Sequence, residues 1–447
     1  MLDRNRVREV FAVAVALPAP GRAVYLDHAC ADDAGLRAEV ESLLTSSERR
    51  AGFMASPTVG APVPQGGEGP GSRIGPYVLL HELGQGGFGV VYAAEQDSPV
   101  RRRVALKVIK LGMDTRAVIA RFEAERQALA MMEHPHIATV MDAGATDTGR
   151  PYFVMEHVDG VPITAYADTH GLGVGERLGL FVQVCQAVQH AHAKGVMHRD
   201  IKPGNVLVTV RDGLPHIKVI DFGIAKAVDH RGTARTAFTE AGQFVGTPEY
   251  MSPEQAGGER DVDTRTDVYG LGVLLYELLT GETPFAASEL RSVAYEEVRR
   301  IIREVEPPKP STRLSRAGKG GAHTRRAHAG SGQRIAEVRG DLDWVVMKAI
   351  EKDRMRRYET PGLLAADVQH YLAGEPVSAA PQSVAYRARK FVGRNRVLVA
   401  AGGAVAAAVV LGLVGTSLGL ISAGRARAAA VRNAAEAHEQ SARANAA

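Results

Sequence analysis

The stretch VMHRDIKPGNVLV (196–208) limits what this chain can fold into more than any other. Asp200, Lys202 and Asn205 sit between apolar, strand-like flanks, so the fold must present an acid, a cation and an amide from one short loop. The acid can accept or orient a hydroxyl proton, the lysine can neutralise a phosphoryl group in transfer, and the amide can bind a metal ion. Alone, the pattern also describes an ordinary polar loop between strands. A second run outweighs that reading: IKVIDFGIAKA places Asp221 at the end of a buried strand, ahead of Phe222 and Gly223. A carboxylate there suits Mg²⁺, a hard cation that prefers oxygen ligands and bridges phosphates.

Two upstream runs complete the set. In LGQGGFGVVY, Gly84, Gly86 and Gly89 give G-x-G-x-x-G around Gln85, Gly87 and Phe88, and Val91 follows two residues later. Glycines let the backbone approach phosphate oxygens and allow a tight hairpin. In a dinucleotide fold a helix would follow; VVYAAEQ alternates like a strand, which favours a hairpin lid over phosphates. RRVALKVIKL then sets Lys107 in the middle of an apolar strand, where an unpaired cation is costly to bury. Phosphates supply one partner and a helix carboxylate another. Glu125 in AVIARFEAERQALAMM is a candidate for the carboxylate, with Glu123 and Glu133 as competitors.

With these motifs in this order, residues 77–372 resemble the eukaryotic-type (Hanks-type) protein kinases of bacteria. The resemblance implies an α+β, two-lobed fold with a small β-rich lobe preceding a larger helical one. It implies ATP and Mg²⁺ as cofactors, with Asn205 and Asp221 holding metal and Asp200 and Lys202 at the transferred group. It selects Glu125 as the partner of Lys107, because E-x-Q stands nine residues before HPHI. Adenine would lie among Leu83, Val91, Ala105 and Leu207, with backbone bonds from the VMEHVDG hinge near Glu156 and Val158 and with Met155 guarding the deeper pocket. GTPEYMSPEQ resembles the end of an activation segment, in which Thr247 contacts the catalytic pair and Glu254 pairs with Arg357. Asp267 resembles the helix aspartate that holds the catalytic-loop backbone. Lys202 and Thr247 point to serine or threonine as the acceptor rather than tyrosine. Thr239, Thr236 and Thr233 are candidate activation-loop phosphosites, with Arg199 as the cation that a phosphate would meet.

The rest of the chain frames this domain. At 447 residues there is room for two or three folded units. A net charge of +4, much of it in Arg-rich patches, does not indicate a nucleic-acid partner. Cys30 and Cys185 are too few for a disulfide scaffold or a zinc site. No signal peptide is expected at the start. Residues 1–51 show helical periodicity, with Leu36, Val40, Leu43 and Leu44 able to share a face. Residues 52–76 are a Pro/Gly-rich linker, and 307–334 read as a flexible basic insertion. After a basic segment (373–396), residues 397–423 carry no charge and exceed the roughly 20 residues needed to cross a bilayer. The heavier positive charge before that stretch sets the kinase on the cytoplasmic side of a bacterial inner membrane, with 424–447 as a short outer tail.

The flanks resemble a membrane-anchored subgroup familiar from planctomycetes. The expected partners are protein substrates, the membrane and a second copy of the chain in a homodimer. A pseudokinase would have lost Lys107, Asp200 or Asp221, and none is lost. A small-molecule phosphotransferase would lack the peptide-docking GTPEYMSPEQ. A mainly structural membrane adaptor is the remaining rival, separable by a phosphotransfer assay.

Overall fold

The computed structural model describes scattered positions between 10 and 40, and residues 68–86, 89–109, 132–222, 247–259, 262–317, 331–381 and 383–445. The chain divides into two units, Met1–Gly67 and Glu68–Ala447. In the first, Val10, Ala14, Leu26, Cys30, Leu36 and Val40 bury together, so Leu36 and Val40 do share a face. Leu43 and Leu44 lie outside the described residues.

The second unit begins with an antiparallel sheet. Its strands are β1 (Arg73–Ile74), β2 (Tyr77–Gln85), β3 (Gly89–Gln96), β4 (Arg102–Ile109), β5 (Val140–Ala145) and β6 (Pro151–Glu156), in the order β1-β2-β3-β4-β6-β5. Side chains alternate across a strand, and here the two faces enter different cores. Val104, Leu106 and Val108 pack with Tyr92, Ala94, Tyr152 and Val154 in a small core of the sheet. Ala105, Phe153 and Met155 turn to the other face and join the large core. The pairings Ala105↔Met155 and Lys107↔Phe153 put Lys107 on that second face. The linker expected through residue 76 therefore ends earlier: Arg73–Ile74 is a strand, Ile74 is buried, and Glu68 is ion-paired to Arg150. A two-residue strand is too short to leave a periodic signal.

A smaller antiparallel sheet, β7 (Val161–Pro162), β8 (Val206–Arg211) and β9 (Leu214–Val219), heads the helical lobe. The lobes are stitched together at its edge. The Val219 N–H donates to His136 O, and the Ala138 N–H donates to Val219 O. Next come helices α1 (Ile163–Thr169), α2 (Val174–Ala193), α3 (Pro253–Gly257) and α4 (Arg265–Thr280). Helix α2 turns Val174, Leu178, Phe181, Cys185 and Val188 inward at helical spacing. Every residue of α4 from Thr266 to Tyr276 is buried, so this helix is the centre of the lobe. Gly272 permits that: a Cβ there would meet Ile350 Cγ2 at 2.7 Å and Ala349 Cβ at 2.8 Å.

The remaining helices are α5 (Ala287–Arg291), α6 (Tyr295–Glu304), α7 (Pro310–Ala317), α8 (Ser331–Val338), α9 (Asp341–Ala349), α10 (Pro361–Leu372), α11 (Val384–Arg394) and α12 (Arg396–Asn445). Helices α7 and α8 correct the expectation of a flexible insertion over 307–334. Ser311 is buried, its N–H and hydroxyl donate to Asp343 at 2.9 and 2.7 Å, and Arg313 donates to Pro284 O at 2.8 Å. The composition is polar, but tertiary bonds hold both ends in the lobe; residues 318–330 lie outside the described ones. Helix α12 is a single 50-residue element that continues well past 423. Its apolar part is long and hydropathic enough to cross a membrane, with mean hydropathy 2.6 and no burial within the protein.

Candidate active site

The strands of the six-stranded sheet form the roof of a cleft of about 650 Å³. The Gly86 N–H donates to Gly89 O at 2.9 Å and closes the β2–β3 hairpin over it. Each glycine has its own reason. A Cβ on Gly89 would collide with the Val108 carbonyl, whereas a Cβ on Gly84 or Gly86 would meet nothing within 4 Å. Gly89 is therefore needed for packing against β4, and Gly84 and Gly86 border open space. Leu83, Val91, Ala105, Met155 and Leu207 supply apolar walls, with Glu156 and Val158 at the rear. Gly84, Gln85, Gly86, Gly89 and Lys107 line the upper side; Asp200, Lys202, Asn205, Asp221 and Thr247 line the lower. Gly87, Phe88 and Glu125 lie outside the described residues, and the competitor Glu133 is exposed.

The floor is built around one loop. The 3₁₀ turn Pro203–Asn205 leads into β8 and turns Asn205 back on the loop that precedes it. Its Nδ2 donates to Asp200 O at 2.8 Å and to Asp200 Oδ2 at 3.1 Å. The Lys202 ammonium donates to the same Oδ2 at 2.7 Å. The Ile220 N–H donates to Asn205 O at 2.9 Å, which fixes Asp221 next to Asn205. Lys107 reaches across from the roof to an ion pair with Asp221. Arg199 and Asp221 both have positive φ, 60° and 57°, a conformation that non-glycine residues rarely hold without support.

The support comes from α4. Asp267 accepts the His198 and Arg199 backbone N–H groups at 2.7 Å each, and His192 Nε2 lies 2.7 Å from the same carboxylate. Burial alone would raise the Asp267 carboxyl, but the bond and charge of His192 outweigh it and hold the group below the usual carboxylate range. The Arg199 carbonyl accepts from Gln255 Nε2 at 3.1 Å. His198 is fully buried, and burial pushes its imidazole below the ordinary value of 6.5. It accepts the Asp200 N–H at Nδ1, 3.2 Å, while Nε2 stands 3.1 Å from Ile220 O. A neutral ring with its proton on Nε2 satisfies both contacts.

Two carboxyl and amide side chains beside a lysine, under a glycine hairpin, can seat a phosphate-bound cation and orient a hydroxyl. Comparison with known families decides what kind of site this is: the model described as "Protein kinase domain" matches residues 77–361. The chain belongs to the protein kinase domain family. It is 40% identical over 269 residues to serine/threonine-protein kinase Pkn1 of Myxococcus xanthus, covering 60% of this chain and 37% of that protein. Against serine/threonine-protein kinase PknB of Mycobacterium tuberculosis it is 38% identical over 309 residues, covering 68% of this chain and 44% of the relative. The chain thus spans less than half the length of these relatives. The Mycobacterium tuberculosis PknI kinase domain, a solved structure, aligns over 68% of this chain and 100% of its own at 26% identity and a TM-score of 0.48.

Within the kinase domain, the segment after Thr247 is anchored from below. Arg357 meets Glu254 in a bidentate pair at 2.7 and 2.8 Å, both side chains buried, and Thr266 Oγ1 adds a third bond at 2.6 Å. The structure also brings in residues that the motifs did not point to. Gly160, Gly204 and Ile220 line the cleft, and Lys218 holds the Glu156 carboxylate at 2.8 Å, so the Glu156 side chain is spent on the hinge. His192, Gln255 and Thr266 support the loop from elsewhere in the chain. His192 and Thr266 stand in no recognisable local pattern, and Gln255 closes the GTPEYMSPEQ run without any sign there of its bond to Arg199. Gly223 and the threonines Thr233, Thr236 and Thr239 lie outside the described residues.

Proposed function

We propose that this chain is a Mg-ATP-dependent protein kinase that phosphorylates serine or threonine, held in a bacterial inner membrane by one passage of α12. The observation that carries this reading is the convergence of Lys107, Asp200, Asn205 and Asp221 on one cleft, with Lys202 bonded to Asp200. The site fits the nucleotide and cation on its own chemistry. Asn205 and Asp221 are oxygen donors, as Mg²⁺ requires, and the hairpin at Gly84 and Gly86 leaves room beneath it. Bound Mg-ATP supplies the phosphoryl group and screens its charge. Asp200 accepts or orients the acceptor hydroxyl proton through the carboxylate that Lys202 and Asn205 hold in place. Lys202 neutralises negative charge at the transferred group. Asn205 turns its amide nitrogen to Asp200, and its amide oxygen, with the Asp221 carboxylate, would hold the cation.

Lys107 positions the phosphates, with Glu125 proposed as a partner in addition to Asp221. Leu83, Val91, Ala105 and Leu207 enclose the base, Glu156 and Val158 reach it through their backbone, and Gln85, Gly87 and Phe88 complete the lid. Thr247, Glu254, Arg357 and Asp267 hold the substrate-side segment and the loop. Lys202, and relatives named as serine/threonine kinases, support hydroxyl acceptors of that class. Arg199 is the cation that a phosphate on Thr239, Thr236 or Thr233 would meet, which would make the kinase self-activating. The flanks support a place in the planctomycete-like membrane-anchored subgroup, and the basic residues before α12 support a cytoplasmic kinase domain.

The test is incubation of the detergent-solubilised full chain with Mg-ATP beside Asp200→Asn, with phosphate mapped by mass spectrometry. Phosphothreonine within 233–247 in the parent alone is the expected result. ATP binding without phosphate on the chain or on a basic protein substrate would replace this reading with a nucleotide-binding pseudokinase.

A further inference from the structure

Helix α11 has two faces with opposite partners. One is bonded to the helical lobe: the Tyr386 hydroxyl accepts the Val377 N–H at 3.2 Å, lies 3.1 Å from Asp341 Oδ1 and packs edge-on against Trp344. Lys390 pairs with Asp341, and Arg394 with Glu375. Tyr386, Lys390 and Arg394 recur every four residues, the spacing of one helix face. The other face carries Val384, Phe391 and Val392, which are 86%, 58% and 46% exposed. Arg389 and Arg396 are exposed alongside them. A ridge of valine and phenylalanine bordered by arginines is out of place against water alone.

Charge and position name what it meets. No Asp or Glu occurs between Glu375 and Glu436, while Arg387, Arg389, Lys390, Arg394 and Arg396 crowd the start of that span. Only Asn395 separates α11 from α12, whose uncharged stretch begins at Val397. If α12 crosses the bilayer, α11 is held at its surface. We propose that α11 is an interfacial helix. Its apolar ridge sinks into the boundary between headgroups and acyl chains, and Arg389 and Arg396 bind anionic phospholipid headgroups. Its other face stays bonded to the lobe. The kinase domain is thereby seated on the membrane instead of hanging from a loose tether. The proposal rests on the membrane reading of α12 and goes beyond it.

The test uses the full chain in lipid nanodiscs of phosphatidylcholine, with or without phosphatidylglycerol, containing lipids brominated on their acyl chains. Phe391→Trp reports whether α11 meets the bilayer, read as quenching beyond that of the parent with its native Trp344. Leu411→Trp reports α12 in the same discs. The expected result is quenching of Leu411→Trp in both discs and of Phe391→Trp chiefly in those with phosphatidylglycerol. Arg389→Gln and Arg396→Gln should each lower the ratio of seated to unseated helix about fivefold, the equivalent of about 1 kcal/mol per basic residue at an anionic surface. An unquenched Leu411→Trp overturns the membrane reading itself. A quenched Leu411→Trp beside an unquenched Phe391→Trp overturns the interfacial helix alone. Quenching of Phe391→Trp that ignores phosphatidylglycerol overturns the assignment to anionic headgroups.

Discussion

Glu254 and Arg357 illustrate how a buried charge pair works as a fastener. Removing one partner leaves the other charge without compensation, which costs about 3–5 kcal/mol. Glu254→Gln should therefore lose about that much stability, read from the urea midpoint, with a loss of activity as the substrate-side segment loosens. The same carboxylate sets a pH dependence. Burial would raise Glu254, but the bonds and charge of Arg357 prevail and hold it below 4.5. The unfolded chain takes up that proton first, so the stabilisation is present above about 4.5 and is lost as the pH falls through the folded value. His198, His134 and His136 are all depressed below 6.5, chiefly by burial. Their contribution is complete above 6.5 and wanes as the pH drops beneath it. Urea titrations from neutral pH downward should thus show a first decline below about 6.5 and a steeper one below about 4.5. A flat profile across the first range would contradict the neutral, buried His198. The cleft residues were legible because kinase chemistry is written in short contiguous runs. Their mutual contacts were not. The Lys107–Asp221 pair joins residues 114 positions apart, and Asp267 reaches His198 across 69.

At the scale of elements, two glycines inside helices make opposite predictions. A methyl on Gly272 would press into Ala349 and Ile350, an overpacking of about 1–3 kcal/mol that outweighs the gain of about 1 kcal/mol from alanine's helix propensity. Gly179 in α2 faces solvent, and a Cβ there would meet nothing within 4 Å. Gly272→Ala should lower the urea midpoint and Gly179→Ala should raise it, the second through a gain in stability of about 1 kcal/mol. Composition does not distinguish these two positions; only the approach of α9 to α4 does. The same blindness explains α7 and α8. A run rich in Gly, Arg and Ser reads as a loop, and nothing local announces that Ser311 will find Asp343. Asp267 was easier to place, since the resemblance of its run to a kinase helix marked it as the aspartate that holds the catalytic-loop backbone, and its carboxylate accepts the His198 and Arg199 N–H groups.

For the whole molecule, the prediction is one of partition. The full chain should sediment with membranes, resist an alkaline carbonate wash and be released by detergent, while a chain lacking 397–423 should stay in the supernatant. Recovery of the parent in the carbonate wash would make α12 a surface element. The length of that helix has a mechanical consequence. At about 1.5 Å per residue, its 50 residues reach roughly 75 Å, against a hydrocarbon thickness of about 30 Å. No proline interrupts it, so in the proposed membrane passage it would be a stiff shaft with more than half its length outside the oil. A small sideways push on the outer arm, pivoting in the bilayer, would then become a tilt at Arg396, one residue from the helix that grips the kinase lobe. Anything that leans on that arm works with leverage.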